Sequence, residues 1–373
     1  MGEGVSMRHL KSISSEKFYK EPMSFNKYSS KDLLKYAIGS NLYMNALMDI
    51  YSIIKLRKIK DITTITICFE DSIKERDVDK GEINVLTALD NLNKALEKRE
   101  INEEYIPLIF IRVRSTYQFI KFSSKLSKEE LKLISGFIFP KFSKKNGLLY
   151  LEHLKRINNE YDDILYGMPI LESEEIIYKE NRIKEILYLR ELIDKYKDLI
   201  LNIRIGGTDF SSKFGLRRSV SNSIYDIGVI SDCISDIVNI FGRYKEEYII
   251  SAPVWEYFSY DLNSKENKGL IREIKLDKEN GFCGKTIIHP TQGIYVNSIY
   301  SVDYEDYIDA INILKYKELG GVFKGYRNNK MNEVSPHYNW ARKICDRANA
   351  FGVLSNKISC KDLFDEDGIN YED

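Results

Sequence analysis

Between residues 38 and 298, short β-rich runs alternate with longer helical stretches, and this alternation limits the possible folds more than any other feature of the chain. Eight runs stand out: Ile38–Met44, Ile62–Glu70, Ile106–Val113, Gly136–Pro140, Tyr166–Leu171, Leu201–Gly206, Tyr248–Ala252 and Lys285–His289. Strands that alternate with helices are expected to lie parallel, with crossover helices covering the sheet. Eight is the number that closes a barrel. The expectation is therefore an α/β fold, a (β/α)8 TIM barrel over residues 37–302. A loosely held N-terminal arm, 1–36, precedes it, and a mainly helical C-terminal extension, 303–373, follows. An open doubly wound sheet fits less well, because no glycine-rich phosphate turn of the GxGxxG type follows the first run. The clearest helix is expected from Glu174 to Lys197, where Ile176, Ile183, Ile186, Leu187 and Ile193 form an apolar face.

Charge and cysteine usage narrow the function. Lysine plus arginine and aspartate plus glutamate each number 56, so no net field draws the chain to nucleic acid or to an anionic membrane. A local basic run such as Lys55-Leu56-Arg57-Lys58 reads as a solvated helix end. Cys68, Cys233, Cys283, Cys345 and Cys360 show no CxxC spacing, so neither a zinc site nor a disulfide framework is indicated, and a cytoplasmic setting fits. The first thirty residues are polar, unlike a signal peptide, and no apolar run approaches the ~20 residues that span a bilayer. No solenoid repeat or low-complexity tract is present.

In a TIM barrel the reacting side chains sit where strands end and βα loops begin. The second run ends in Cys68-Phe69-Glu70-Asp71, the third carries Arg112 and Arg114, and the fourth ends in Pro140-Lys141. The fifth run leads into Glu172-Ser173, the sixth into Gly207-Thr208-Asp209, and the eighth closes on His289-Pro290-Thr291-Gln292. Glu172 and Asp209 stand one strand–helix–strand unit apart, so their strand tips are neighbours, about 5 Å apart. Two carboxylates that close repel unless a cation lies between them, and Mg²⁺ or Mn²⁺ commonly takes one or two protein carboxylates. The plain alternative is a helix N-cap for one and a surface acid for the other. Arg112 and Arg114, two apart on a strand, face one side, where an arginine offers a planar fork for a carboxylate or a developing oxyanion; outward arginines bridging helices are the alternative. Lys141 is either a second anion contact or solvated. A strand-end histidine such as His289 is more often structural than chemical.

Taken in order, these segments resemble the citrate lyase β-subunit and malyl-CoA lyase family of phosphoenolpyruvate/pyruvate-type TIM barrels. Gly281-Phe282-Cys283-Gly284-Lys285-Thr286-Ile287-Ile288-His289-Pro290-Thr291-Gln292 is similar to that family's GFxGKxxIHPxQ stretch. Phe69-Glu70-Asp71-Ser72 resembles its LEDxV, Ile111-Arg112-Val113-Arg114 its VRVN, Phe139-Pro140-Lys141 its LPK, Pro169-Ile170-Leu171-Glu172-Ser173 its IIET, and Ile205-Gly206-Gly207-Thr208-Asp209-Phe210 its IGTxDL. The likeness spans about residues 38–300. It implies Glu172 and Asp209 as metal ligands, Arg112 as a catalytic and substrate-binding arginine, and Glu70 and Asp71 as catalytic residues ordering metal-bound water. Cys68 and Arg114 stand where the family usually has Asp and Asn, so with Lys141 they are expected to meet a substrate that differs from malyl, citramalyl or citryl thioesters. The family also carries a C-terminal lid that reaches a neighbouring subunit with an acidic residue. Here the run from Lys330 to His337 holds Glu333 at that place, and with Trp340 and Ala341 it looks most like the C–C bond lyase branch found beside tellurite-resistance genes.

The resemblance implies a Mg²⁺-dependent lyase or aldolase that cleaves or forms a 2-oxo or 2-hydroxy acid through an enolate, either as a CoA or carrier-protein thioester or as a free acid. It implies a homo-oligomer, a trimer or hexamer, with Glu333 as the candidate base. A thioester hydrolase on the same metal site would differ only in offering water to the acyl carbon. A phosphoenolpyruvate-using transferase would need a covalent histidine or phosphate-binding arginines that cannot be placed. A silent, partner-binding barrel would have no physical reason to keep Arg112, Glu172 and Asp209 together at the rim.

Overall fold

Runs such as Thr64–Cys68, Ile134–Phe139 and Tyr166–Leu171 are buried at every residue, so they have no solvent face and form strands covered on both sides. The computed structural model describes residues 7–243 and 247–364. Its central sheet has eight parallel strands: β1 Ser40–Asn45, β2 Thr64–Cys68, β3 Leu108–Arg112, β4 Ile134–Phe139, β5 Tyr166–Leu171, β6 Ile203–Ile205, β7 Ile250–Ser251 and β8 Lys285–Ile287. Each strand pairs with the next in sequence, and β8 pairs with β1 in the register Ser40 to Lys285. A parallel bridge from Ala252 to Lys285 closes the circle between β7 and β8. The fold is the expected TIM barrel, with strand ends displaced by at most two residues from the apolar runs.

The covering helices follow from helical periodicity. Val78–Glu97 buries Gly81, Glu82, Val85, Ala88, Leu89, Leu92 and Ala95, one face at three- and four-residue spacing. The helix expected over Glu174–Lys197 is instead broken into Glu174–Ile177 and Arg182–Asp194. Tyr178 is extended at the break, and the buried Arg182 guanidinium donates to the carbonyls of Ile176 (3.1 Å) and Ile177 (2.7 Å). An apolar period cannot report this break, because a side chain from the second segment caps the end of the first.

The N-terminal arm, expected to be loose, is packed from Met7 onward. His9 is fully buried, stacks on Phe351 with ring centroids 4.7 Å apart, and shares a hydrogen bond with Thr63 Oγ1 at 2.9 Å. Phe18–Lys20 pairs antiparallel with Val353–Leu354, which ties the arm to the C-terminal extension. That extension comprises the helix Tyr304–Lys315, a hairpin of Val322–Lys324 with Met331–Glu333, and the helix Val334–Phe351. The contacts of arm and extension lie where strands begin: Thr63, bonded to His9 of the arm, precedes β2, and Glu247, which pairs with Arg342 of the extension, precedes β7. Arm and extension thus brace the end of the barrel opposite the rim where the strands finish. Among the described residues, no helix is long and apolar enough to cross a membrane.

Candidate active site

At the C-terminal rim a cavity of about 240 Å³ is lined by residues that include Tyr43, Asp71, Arg112, Glu172, Arg204 and Asp209. Arg112 ends β3 and is nearly enclosed. Its Nη2 lies 2.7 Å from Glu70 Oε2, 3.4 Å from Glu172 Oε1 and 3.5 Å from Asp71 Oδ2. Burial works against its charge, but the surrounding carboxylates, Glu172 foremost, outweigh it and hold the guanidinium firmly protonated. Cys68, expected to meet substrate, lies buried beside Arg112 with Sγ 3.9 Å from Nη1 and does not line the cavity.

Glu172 follows β5 and is almost wholly buried. Its Oε1 accepts from the backbone N–H of Lys141 at 2.8 Å. To present that N–H, Lys141 adopts φ +48°, a left-handed conformation that costs a non-glycine residue about 1–2 kcal/mol. Burial, with the negative charge of Asp209 in support and Arg112 opposing, pushes the Glu172 carboxyl up to about 8. On the other side Gly206 lies so close that a Cβ there would overlap the Glu172 carboxylate, so this position tolerates no side chain. Asp209 stands in the first turn of the helix Gly207–Ser212, half-buried and facing the same cavity.

Lys141 Nζ pairs with Glu70 and lies 3.7 Å from Asp71. Burial raises the Glu70 carboxyl above the usual range, and its bond with Asp71 adds to this. Asp71 lies below that range: burial pushes it up, but its bond with Glu70 and the charges of Arg112 and Lys141 prevail. The pair thus splits into a carboxyl that holds its proton more tightly and an exposed carboxylate at the cavity mouth.

Arg114, expected at the substrate, lies elsewhere, as do Glu333, expected to act from a neighbouring subunit, and His289, read as structural. Arg114 falls beyond the end of β3, and its Nη1 donates to the carbonyls of Phe69 (3.3 Å), Glu70 (3.2 Å) and Ile73 (3.4 Å). It clamps the loop that carries Glu70 and Asp71 and does not face the cavity. Glu333 is half-buried at the start of the helix Val334–Phe351, and its N–H donates to His337 Nδ1 at 3.0 Å. It does not line the cavity of its own chain. His289 stacks on Phe258 with centroids 4.1 Å apart and bonds to Thr291 Oγ1 at 2.8 Å, a structural placement. Conversely, Arg204, Tyr43 and Thr286 line the cavity although strand-end reasoning passed over them. A lone arginine inside the apolar run of β6 was the available signal.

The donors present suit a hard divalent cation. Glu172 and Asp209 both line the cavity and repel one another, a repulsion that adds to burial in raising the Glu172 carboxyl. Among the described residues no group of three or more His, Cys, Asp or Glu is arranged to hold a metal; Glu172 and Asp209 are two carboxylates that could hold an ion such as Mg²⁺, which commonly fills its other positions with water and substrate oxygens.

Known proteins agree with this architecture. No curated protein matches the sequence. Among solved structures, the chain is similar to a citrate lyase from Burkholderia xenovorans (TM-score 0.61, 13% identity, covering 87% of this chain and 96% of that one). It is also similar to CitE from Mycobacterium tuberculosis, solved with magnesium, acetoacetate and coenzyme A (TM-score 0.50, 16% identity, 84% and 99% covered). A third similar structure is the malate synthase of Haloferax volcanii in a magnesium/glyoxylate complex (TM-score 0.52, 14% identity, 69% and 74% covered). At these identities the likeness speaks for the fold alone. The family is given by the sequence profile of the C–C bond lyases of the TIM-barrel fold, which matches residues 32–353, and the chain belongs to that family.

Proposed function

We propose that this chain cleaves or forms the carbon–carbon bond of a small 2-oxo or 2-hydroxy acid, with Mg²⁺ or Mn²⁺ held by Glu172 and Asp209. The observation that carries the reading is the meeting of Glu172, Asp209 and Arg112 around one rim cavity. Magnesium in the similar CitE and malate synthase structures supports the choice of ion. When bound, such an ion supplies Lewis acidity at a substrate oxygen.

The protein's own residues do the rest. Arg112, fixed by Glu70, Glu172 and Asp71, presents a cation that needs no reorganisation when negative charge develops on the substrate. Lys141 holds Glu172 by its backbone and Glu70 by its side chain, which sets the spacing of both carboxylates. Arg114 secures the loop beneath Glu70 and Asp71. Cleavage requires a base for the substrate hydroxyl, and condensation one for an α-carbon proton. Asp71, ionised at the cavity mouth, serves from within the chain through an ordered water. Glu333 serves only from a second copy, since it lies outside its own chain's cavity.

The direct test is to incubate the protein with Mg²⁺ and malyl-CoA, citramalyl-CoA or free hydroxy diacids, and to trap the oxo acid released. Metal-dependent release from at least one is expected, and loss of it in Arg112→Ala. Absence of release, together with no metal-dependent binding of any oxo acid, would sink the lyase reading. Mixing Glu333→Gln with Arg112→Ala subunits tests the base: recovered activity places Glu333 in trans, and none in demonstrably mixed oligomers leaves Asp71.

A further inference from the structure

Among the described residues five arginines are buried: Arg112, Arg182, Arg190, Arg204 and Arg218. Arg112 faces Glu70 and Glu172, Arg182 pairs with Asp232 and Asp236, Arg190 with Asp194, and Arg218 with Glu256 and Glu273. Among the described residues no carboxylate pairs with Arg204. It stands on β6 with 2% of its surface exposed. One Nη donates to Thr286 Oγ1 at 2.5 Å, and the other meets no hydrogen-bond acceptor. It shares the ring of Tyr43 with Arg112, the two guanidinium carbons lying 5.8 and 5.9 Å from its centroid. Burial disfavours its charge; the Tyr43 hydroxyl partly offsets this, and Arg112 adds repulsion, so no carboxylate answers the guanidinium.

A guanidinium does not lose its proton in a protein. An enclosed cation without a counter-charge is therefore unfavourable unless an anion arrives from outside. Access is provided, because Arg204 lines the same cavity as Glu172 and Asp209. Along β6 it lies two residues before Gly206, the residue against which Glu172 packs, so both face the same side of the strand. The free Nη and the Thr286 hydroxyl give a planar fork with a neighbouring oxygen, a geometry suited to a carboxylate.

We propose that Arg204 is a specificity-determining residue that binds a second carboxylate of the substrate, deep in the barrel mouth, while the 2-oxo or 2-hydroxy acid head is gripped at Glu172, Asp209 and Arg112. The inference rests on the function proposed above and adds that the head is a compact dicarboxylate. A monocarboxylate leaves Arg204 unanswered.

The test compares malate with lactate, which differ by one carboxylate, in calorimetric titrations of the full chain with saturating Mg²⁺. The wild-type protein is expected to bind malate at least about ten-fold tighter, since a site built to pair a group discriminates against an analogue lacking it. Arg204→Gln should erase that preference by weakening malate alone and leaving lactate within about three-fold. Its melting temperature should be unchanged or higher, because an unpaired buried cation has been removed. Arg204→Lys, which keeps charge but loses the fork, should weaken malate more than lactate and covers a failure of the Gln variant to fold. Equal binding of malate and lactate by the wild type overturns the inference, as does a preference that survives both substitutions. If neither acid binds the wild type with Mg²⁺, this inference is overturned, while the proposed function is decided separately by the binding and release of oxo acids.

Discussion

The rim cavity and the ion network behind β8 both bury opposite charges, yet they differ in what is left over. Behind β8, Lys285 Nζ lies 2.8 Å from Glu273 Oε1 and 2.8 Å from Asp277 Oδ2, and all three side chains are fully enclosed. Arg218 pairs with the other Glu273 oxygen, which also accepts from the Ile224 N–H, and Tyr225 Oη donates to Asp277 at 2.7 Å. Each charge there has a protein partner. At the rim, Arg204 lacks a carboxylate, Arg112 Nε finds no acceptor, and Glu172 and Asp209 repel one another. A completed network belongs to the fold, and an incomplete one marks where a ligand finishes the pairing.

The sharpest way to break this comparison is Lys285→Met. It strands Glu273 and Asp277 in the interior, and breaking such a pair typically destabilises by about 3–5 kcal/mol. Urea unfolding measures it, and a loss under about 1 kcal/mol would show that the network behind β8 is no more structural than the rim.

Glu172→Gln should do the reverse. Folding stability holds or rises, because a carboxylate that burial disfavours is replaced by its neutral shape, whereas Mg²⁺ affinity falls at least about ten-fold, as expected when one of two anionic ligands is lost. Calorimetric titration decides between this and unchanged affinity, which would remove Glu172 from the metal site.

A smaller effect lies in the pH dependence of the metal-free protein. The Glu172 carboxyl is raised from 4.5 to about 8, so the folded state holds this proton more tightly than the unfolded chain. The stability it contributes is full below about 4.5 and is lost as pH rises through about 8. Comparing melting curves of wild type and Glu172→Gln from pH 5 to 9 should reveal a decline present only in the wild type, and added Mg²⁺ should restore stability most at the alkaline end. Parallel curves would mean that Glu172 titrates normally.

The smallest change is expected from Arg114→Gln. Losing guanidinium bonds to three loop carbonyls should cost about 1–2 kcal/mol, with substrate affinity affected less than stability. A selective loss of affinity would return Arg114 to the substrate.

The family stretch from Gly281 to Gln292 shows how legibility and chemistry part company. It is the most readable run in the sequence, yet its recognisable residues do structural work. Gly284, at φ +84°, admits the Gly39 carbonyl where a Cβ would sit 2.8 Å away, and Lys285 enters the buried network. Gln292 accepts from the N–H groups of Ile288 and His289 and donates to the carbonyls of Trp255 and Tyr257. Arg204 is the opposite case: a lone arginine in an apolar run is only a faint local signal, and the role proposed for it comes from the carboxylate partner it lacks among the described residues.

By itself the sequence determined the eight strands, their parallel order and the rim positions of Glu70, Asp71, Arg112, Glu172 and Asp209, because burial on both faces imposes continuous apolar runs and a strand's end fixes where its polar residues emerge. Only the tertiary structure decided that residues from Met7 onward are locked to Phe351, that Arg182 breaks a helix, that Arg114 turns to its own loop, and that Glu333 stays out of its chain's cavity. These outcomes depend on particular partners, six residues away for Arg182 and Ile176 and hundreds away for His9 and Phe351, and periodicity, which reports only which face of an element is apolar, carries no information about them.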